Sequence, residues 1–382
     1  MKTILWIYNH PLRPEAGGTE RITSLVMRGL SAKGHKCMGI MVVDVANKTL
    51  EYDGNIINDL YNFLKDNKVD TVINQCGHTI ELLDFFLNRG GEQWHNEGGK
   101  IISCLHFHPK PTDVYYEFLS KKTKNIHDYY VIGKSWLIRS YLRNRDKKNK
   151  GRTYKKIYDN SDAYVILSEK YTNYMIEAMQ IKDTHKLYSI NNPLTFEQIS
   201  STSLLSEKKQ SILVVGRLLD WQKRIMLCIK AWKLIKNNPV LNCWNLKIVG
   251  AGEDYDYYKE YIEKHNIERI SLEGQQSPEP YYEEAKIFLM TSKMEGWGLT
   301  LTESLQRGVV PIVFNTSEAF SEIITDGYNG FLVKEGDMRT FCKRIEQLTT
   351  DEELWFRMAN NALESAQKFN LDNTIKKWEE II

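Results

Sequence analysis

Short apolar runs rich in Ile and Val alternate with amphipathic stretches along almost the whole chain. A run of about four to seven such residues is a strand buried on both faces, and a longer stretch with a 3.6-residue apolar period is a helix. Their alternation predicts repeated βαβ units around mainly parallel sheets. In the first half the predicted strands are Thr3 to Tyr8, Cys37 to Val43, Thr71 to Asn74, Ile101 to Leu105, Tyr129 to Ile132 and Ala163 to Leu167. In the second they are Ile212 to Val215, Leu246 to Val249, Ile270 to Leu272, Ile287 to Met290, Val309 to Val313 and Gly330 to Val333. The expected class is α/β, with two Rossmann-like domains whose parallel sheets face a central cleft.

The pattern breaks once. Asn191-Asn192-Pro193 and the Ser/Thr-rich stretch from Ser200 to Gln210 interrupt it, and a chain of 382 residues is long enough for two cores. The boundary is placed at residue 195, giving domains 1–195 and 196–368. Residues 369–382 carry Ile375, Trp378 and Ile381 at helical spacing, and are expected to form a helix packing back towards the first domain.

With 42% hydrophobic and 26% charged residues the chain reads as a globular protein. No apolar run approaches the roughly 18 residues needed to cross a bilayer, and the segment from Met1 to Asn9 reads as a strand rather than a signal peptide. The six cysteines show no Cys-x-x-Cys spacing, which points to reduced thiols and a cytoplasmic protein.

The net charge of +2 is unevenly placed: Arg139 to Lys156 holds nine Arg or Lys against the single acid Asp146, with Lys121, Lys122 and Lys124 nearby. The plain reading is a solvated helix. The sharper one is an anionic membrane surface met by residues 136–156, with Trp136, Leu137 and Ile138 beside the cations, and thus a peripheral place on the inner face of the plasma membrane. Nucleic acid is not expected, because no recognised nucleic-acid module accompanies the patch.

Ligands of open α/β folds bind at the carboxyl ends of strands, so motifs that follow strands carry most weight. After Ile287 to Met290 comes Glu295-Gly296-Trp297-Gly298-Leu299-Thr300-Leu301-Thr302-Glu303. It is a glycine-containing turn leading into a helix, whose free N–H groups and dipole favour an anion, with a carboxylate on either side to accept from hydroxyls. That order suits a sugar nucleotide: sugar, diphosphate, ribose. After Ile212 to Val215 comes Gly216-Arg217-Leu218-Leu219-Asp220-Trp221-Gln222-Lys223-Arg224, whose cations suit phosphate oxygens or form an ordinary charged surface. Gly17 and Gly18 open a helix after the first strand, as a phosphate contact or a plain βα turn.

Gly250-Ala251-Gly252 resembles the start of a dinucleotide fingerprint, but Tyr255 stands where its third glycine belongs, which disfavours NAD or FAD. Asp254 and Asp256 have the spacing of a metal-binding Asp-x-Asp, yet at a helix start they are better explained as complementing the dipole. His106 and His108 lack a third ligand, so no metal is expected; His106 is read as a cleft-facing hydrogen-bonding histidine or a structural one.

On these residues the chain resembles glycosyltransferase family 4, the retaining enzymes of GT-B fold. The resemblance rests on Gly17-Gly18, His106, Gly216-Arg217 with Lys223, Gly250-Ala251-Gly252, the Glu-x7-Glu of Glu295 and Glu303, and the segment from Asp326 to Phe331. It implies a metal-independent, retaining hexosyltransferase, with no cofactor beyond a UDP- or GDP-linked sugar as co-substrate. The acceptor would be a glycan or lipid-linked molecule of cell-surface polysaccharide, capsule or lipopolysaccharide synthesis. The first domain would bind the acceptor and the second the donor. By the same resemblance Arg217 and Lys223 clamp the diphosphate, with the amides of Leu299 and Thr300. Glu295 faces the transferred sugar, Glu303 the ribose, Gly18 the distal phosphate and His106 the anomeric centre. Residues 272–275, Gly274 among them, line the base, and Gly250, Gly296 and Gly298 complete the donor loops. Lys223 stands one residue further from Arg217 than in many relatives. A sugar-nucleotide epimerase and a non-catalytic sugar-nucleotide-binding protein are the alternatives.

Overall fold

Ile4, Leu5, Trp6 and Ile7 are each no more than 1% exposed, as a strand covered by helices on both faces requires. The computed structural model describes residues 1–9, 11–14, 17–44, 49–111 and 139–382. The predicted strand Tyr129 to Ile132, Trp136 to Ile138, and Lys121, Lys122 and Lys124 lie outside the described residues. The chain divides into two compact units. Among the described residues one comprises 1–111, 139–195 and Phe369–Ile382, the other Phe196–Lys368.

The first unit is built on an eight-stranded sheet of order β4-β3-β2-β1-β5-β6-β7-β8. Its strands are β1 (Thr3–Tyr8), β2 (Lys36–Asp44), β3 (Thr49–Tyr52), β4 (Asn55–Ile57), β5 (Thr71–Asn74), β6 (Lys100–Leu105), β7 (Ala163–Ile166) and β8 (Leu187–Ser189). From β2 to β8 all neighbours are parallel, but β2, β3 and β4 run antiparallel at one edge. The sheet is thus mainly parallel, as expected, with an antiparallel hairpin at its edge. The cause is local: Asp53 and Gly54 both take positive φ, 51° and 78°, and so make the two-residue turn whose twist matches a hairpin. Helix α1 (Gly18–Ala32) follows β1, and α2 (Arg139–Asp159) carries the basic stretch.

The second unit holds a six-stranded, wholly parallel sheet of order β11-β10-β9-β12-β13-β14. The strands are β9 (Ser211–Val215), β10 (Asn245–Val249), β11 (Ile270–Gly274), β12 (Ile287–Met290), β13 (Val310–Phe314) and β14 (Phe331–Val333). Around it pack α3 (Ile225–Ile235), α4 (Tyr255–Lys264), α5 (Glu279–Glu284), α6 (Leu299–Gln306), α7 (Met338–Thr350) and α8 (Glu352–Ala366). Fully buried Trp232, Trp244 and Trp355 fill its core.

The last helix, α9 (Leu371–Glu379), belongs to the first unit. Thr374 and Lys377 reach the carbonyl and side-chain oxygens of Asn191 at 3.5 and 3.1 Å, and Ile375 packs where Gly29 of α1 leaves room.

Strand order reverses between β9 and β12 in one sheet and between β1 and β5 in the other. At such a switch the connections leave on opposite faces and open a crevice at the strand ends. The loops after β9 and β12 therefore meet in the second unit, and those after β1 and β5 in the first.

Candidate active site

In the second unit the two strand-exit loops are joined by charge. The ammonium of Lys223 lies 2.6 Å from Glu295 Oε1, the side chains being 20% and 11% exposed. Lys223 ends a single helical turn, Asp220–Lys223, held from below by buried Asp220. Its carboxylate accepts from the amide of Met226 at 2.8 Å and from the hydroxyl of Tyr258 at 3.0 Å, while its own amide donates to Asp254 at 2.6 Å. Burial, with the Asp220 charge beside it, pushes the Tyr258 phenol well above its usual range, so it stays a donor. Arg224 turns the chain through a left-handed conformation, φ 49°, and has partners other than that of Lys223. Its guanidinium spans the carbonyls of Thr291 and Ser292 at 2.8 and 3.2 Å and Glu335 at 2.8 Å, and the amide of Lys293 donates to the Gln222 carbonyl at 2.7 Å. Of the three cations in the loop, then, Arg224 is a brace. Arg217 is exposed and makes no side-chain hydrogen bond to a described residue.

Gly298 begins α6 at φ 102°, where a side chain would be strained, and no side chain caps this helix. The amides of Leu299 and Thr300 find no acceptor among the described residues, leaving donors and the positive end of the dipole at the turn. The Thr300 carbonyl is fixed by the hydroxyl of Tyr282 at 3.1 Å. Gly296 is partly exposed in this turn. Glu303 stands in the second turn of α6 and is only 2% exposed.

Gly250, at φ 145°, has a structural task. A β-carbon there would collide with the Gly216 carbonyl, and one at Gly252 with the Leu218 carbonyl. Hydrogen bonds from Gly216 to Val249 at 3.1 Å, from Leu218 to Ala251 at 2.9 Å and from Gly250 to Gly274 at 2.8 Å stitch the exits of β9, β10 and β11 together. Gly274, at φ 72°, ends β11 with open space where a side chain would be.

In the first unit the strand ends carry a neutral cluster. His106 is the first residue past β6, and its Nε2 donates to Gln75 Oε1 at 2.5 Å; the same oxygen lies 3.1 Å from the Thr23 hydroxyl. Burial, with His78 adding to it, lowers the His106 pKa to about 4, so the imidazole is uncharged at neutral pH. Gly17 precedes α1 in an extended conformation, and the Glu20 carboxylate lies where a β-carbon of Gly17 would stand. Gly18 opens the helix, so an anion approaching its first amides meets that carboxylate. His108 packs edge-on against Tyr171, ring centroids 5.4 Å apart. No group of three or more His, Cys, Asp or Glu among the described residues is arranged to hold a metal.

The basic stretch forms α2, whose inner face buries Gly151, Tyr154 and Ile157. Lys147, Lys155 and Lys156 pair with Glu177, Asp159 and Asp84 at 2.6 to 2.7 Å, whereas Lys148 and Arg152 are exposed and make no ion pair with a described residue. No described helix is long and apolar enough to cross a membrane.

Sequence reasoning missed Gln75, Asp220 and Tyr258, and read Arg224 only as one of the loop's cations. Gln75 directly follows a predicted strand, and Asp220 is the one acid in a cationic loop; both were signals.

The second unit matches a known family. Residues 195–365 fit the family model described as "Glycosyl transferases group 1". This unit is thus similar to the glycosyltransferases of group 1. The chain is 26% identical over 231 residues to the amylovoran biosynthesis glycosyltransferase AmsD of Erwinia amylovora, covering 59% of this chain and 63% of that one. It spans 56% and 63% of the first curated relatives it matches. Among solved structures it resembles the lipopolysaccharide outer core galactosyltransferase WaaB, apo form, with a TM-score of 0.67 and 20% identity, covering 100% of this chain and 99% of that one. It also resembles Anabaena HepE in complex with UDP and glucose, with a TM-score of 0.65 and 16% identity at the same coverage. The chain has the GT-B fold.

Proposed function

We propose that the protein is a retaining, metal-independent hexosyltransferase of glycosyltransferase family 4. It would move a sugar from a UDP-linked donor to a glycan or lipid-linked acceptor in cell-surface polysaccharide synthesis. The carrying observation is the Lys223–Glu295 pair at 2.6 Å beside the uncapped start of α6. A cation, two free amides and a carboxylate at one switch point are what a sugar diphosphate needs: positive groups for the phosphates and an acceptor for a sugar hydroxyl. UDP is favoured over GDP because HepE is a structural neighbour bound to UDP.

In this mechanism Lys223, Arg217 and the amides of Leu299 and Thr300 hold the diphosphate and meet the charge that grows on it. Glu295 orients the transferred sugar, Glu303 the ribose, and residues 272–275 the base. The bond from the anomeric carbon to the phosphate oxygen breaks with its electron pair going to phosphate. The acceptor oxygen bonds to the same face, and its proton passes to the leaving phosphate oxygen. In the first unit His106, neutral and with its Nε2–H given to Gln75, can offer Nδ1 only as an acceptor. On α2, exposed Arg143, Arg145, Lys148 and Arg152 would be cations available to an anionic membrane surface, which would place a cytoplasmic protein at the inner face of the plasma membrane.

The experiment is incubation with a panel of UDP- and GDP-sugars, with and without oligosaccharide or lipid-linked acceptors, read by mass spectrometry. Transfer that needs the acceptor, with the anomeric configuration kept in the product, is expected. An altered sugar in the donor alone marks an epimerase, and no product across the panel removes the proposal.

A further inference from the structure

One aromatic pair in the first unit is unused by the donor chemistry. Phe107 follows His106 and is 52% exposed, and its ring meets His78 edge-on with centroids 4.5 Å apart. A single exposed phenylalanine is ordinary surface. Two features set this one apart. The backbone beneath is locked: the Gly77 amide donates to the Cys104 carbonyl at 2.8 Å, Tyr164 donates its hydroxyl to the Gly77 carbonyl, and a β-carbon on Gly77 would collide with the Cys104 carbonyl. The loop after β5 thus lies flat on the end of β6. The second feature is the state of His78. Its Nδ1 is buried with no partner, and burial holds the imidazole below the usual histidine range, hence neutral. A buried N–H without an acceptor is rarer and costlier than an unfilled lone pair, so the proton belongs on Nε2, which makes no hydrogen bond to a described residue.

We propose that Phe107 and His78 are a platform for a hexopyranose ring of the acceptor. The apolar C–H face of the sugar lies on the Phe107 ring, and His78 Nε2–H donates to a ring hydroxyl. This rests on the glycosyltransferase reading, which gives the acceptor to the first unit. An apolar ring flanked by a neutral donor suits a sugar, whereas a phosphate would be met by cations. The near cation Lys110 lies over the Tyr174 ring instead, 5.6 Å from its centroid.

The test is saturation-transfer NMR on the full chain with methyl glucoside, methyl galactoside and methyl N-acetylglucosaminide, and separately with glycerol 1-phosphate, while UDP binding is followed in parallel. At least one hexoside is expected to bind, with the strongest transfer to the C–H protons of one ring face. Phe107→Ala should weaken it roughly tenfold or more, Phe107→Trp should keep it, His78→Ala should weaken it, and UDP affinity should not change in any variant. Hexoside binding indifferent to Phe107→Ala overturns the platform. So does a chain that binds UDP but no hexoside, or one in which glycerol 1-phosphate alone depends on Phe107. A chain that binds hexosides through Phe107 but never UDP supports the platform and overturns the donor reading.

Discussion

The two units place different chemistry at equivalent points of similar sheets. At the β9/β12 switch, loops are tied by charge: Lys223 to Glu295, and Arg224 to Glu335 and two carbonyls. At the β1/β5 switch and the neighbouring β6 end the contacts are neutral: His106 to Gln75, and His78 to Phe107. Charged loops suit a charged ligand, and neutral imidazoles with an aromatic ring suit an uncharged one. Fold alone would not separate the two roles; the side chains at the strand ends do.

The sharpest way to break the contrast is to remove the support of the charged side. Asp220→Ala leaves the Met226 amide and Tyr258 hydroxyl without their acceptor in a buried place, and should cost about 3 kcal/mol of stability and abolish UDP binding. Urea denaturation of the full chain measures the first effect and calorimetry the second. Next, Lys223→Ala and Glu295→Gln, which act on ligand rather than fold, should each lower transfer by roughly an order of magnitude or more with the urea midpoint nearly unchanged. Equal rates in wild type and both variants would dissolve the charged half of the comparison.

A smaller effect belongs to the neutral side and is read by pH. His106 titrates near 4 when folded, against 6.5 in an unfolded chain. Between these values the unfolded state binds the extra proton, so stability is intact above about pH 6.5 and falls as the pH drops towards 4. His106→Gln removes that proton linkage, and its urea midpoint should change less across the same window. An identical acid profile would show that His106 is not held neutral. Least affected should be Lys148→Glu with Arg152→Glu, which touches only exposed charge. Stability should move by no more than about 0.5 kcal/mol, while sedimentation with phosphatidylglycerol vesicles should decrease if α2 meets a membrane.

How much of this was legible in the sequence follows from the range of the forces involved. β1, β5 and β12 stand at the residues their apolar runs predicted, because a strand buried on both faces writes itself as a continuous run. The hairpin Thr49 to Ile57 was missed although Asp53-Gly54 marks its turn, since its strands are short and half-exposed. The glycines were visible, but not their tasks: that Gly250 accommodates the Gly216 carbonyl depends on two loops meeting 34 residues apart in sequence. Likewise Arg217, Lys223 and Arg224 look alike as letters. Only the left-handed turn at Arg224 makes it a brace and leaves Lys223 facing Glu295. The Gln75–His106 bond was out of reach for the same reason, being made between two strand ends that adjoin only in the sheet.

The central claim, that the β9/β12 exits hold the diphosphate of a nucleotide sugar, is tested most directly by isothermal titration of UDP into the wild-type chain and Lys223→Ala. The account predicts saturable binding to the wild type, weakened tenfold or more in the variant. UDP binding of equal strength in both, or no binding of UDP to the wild type, would contradict it.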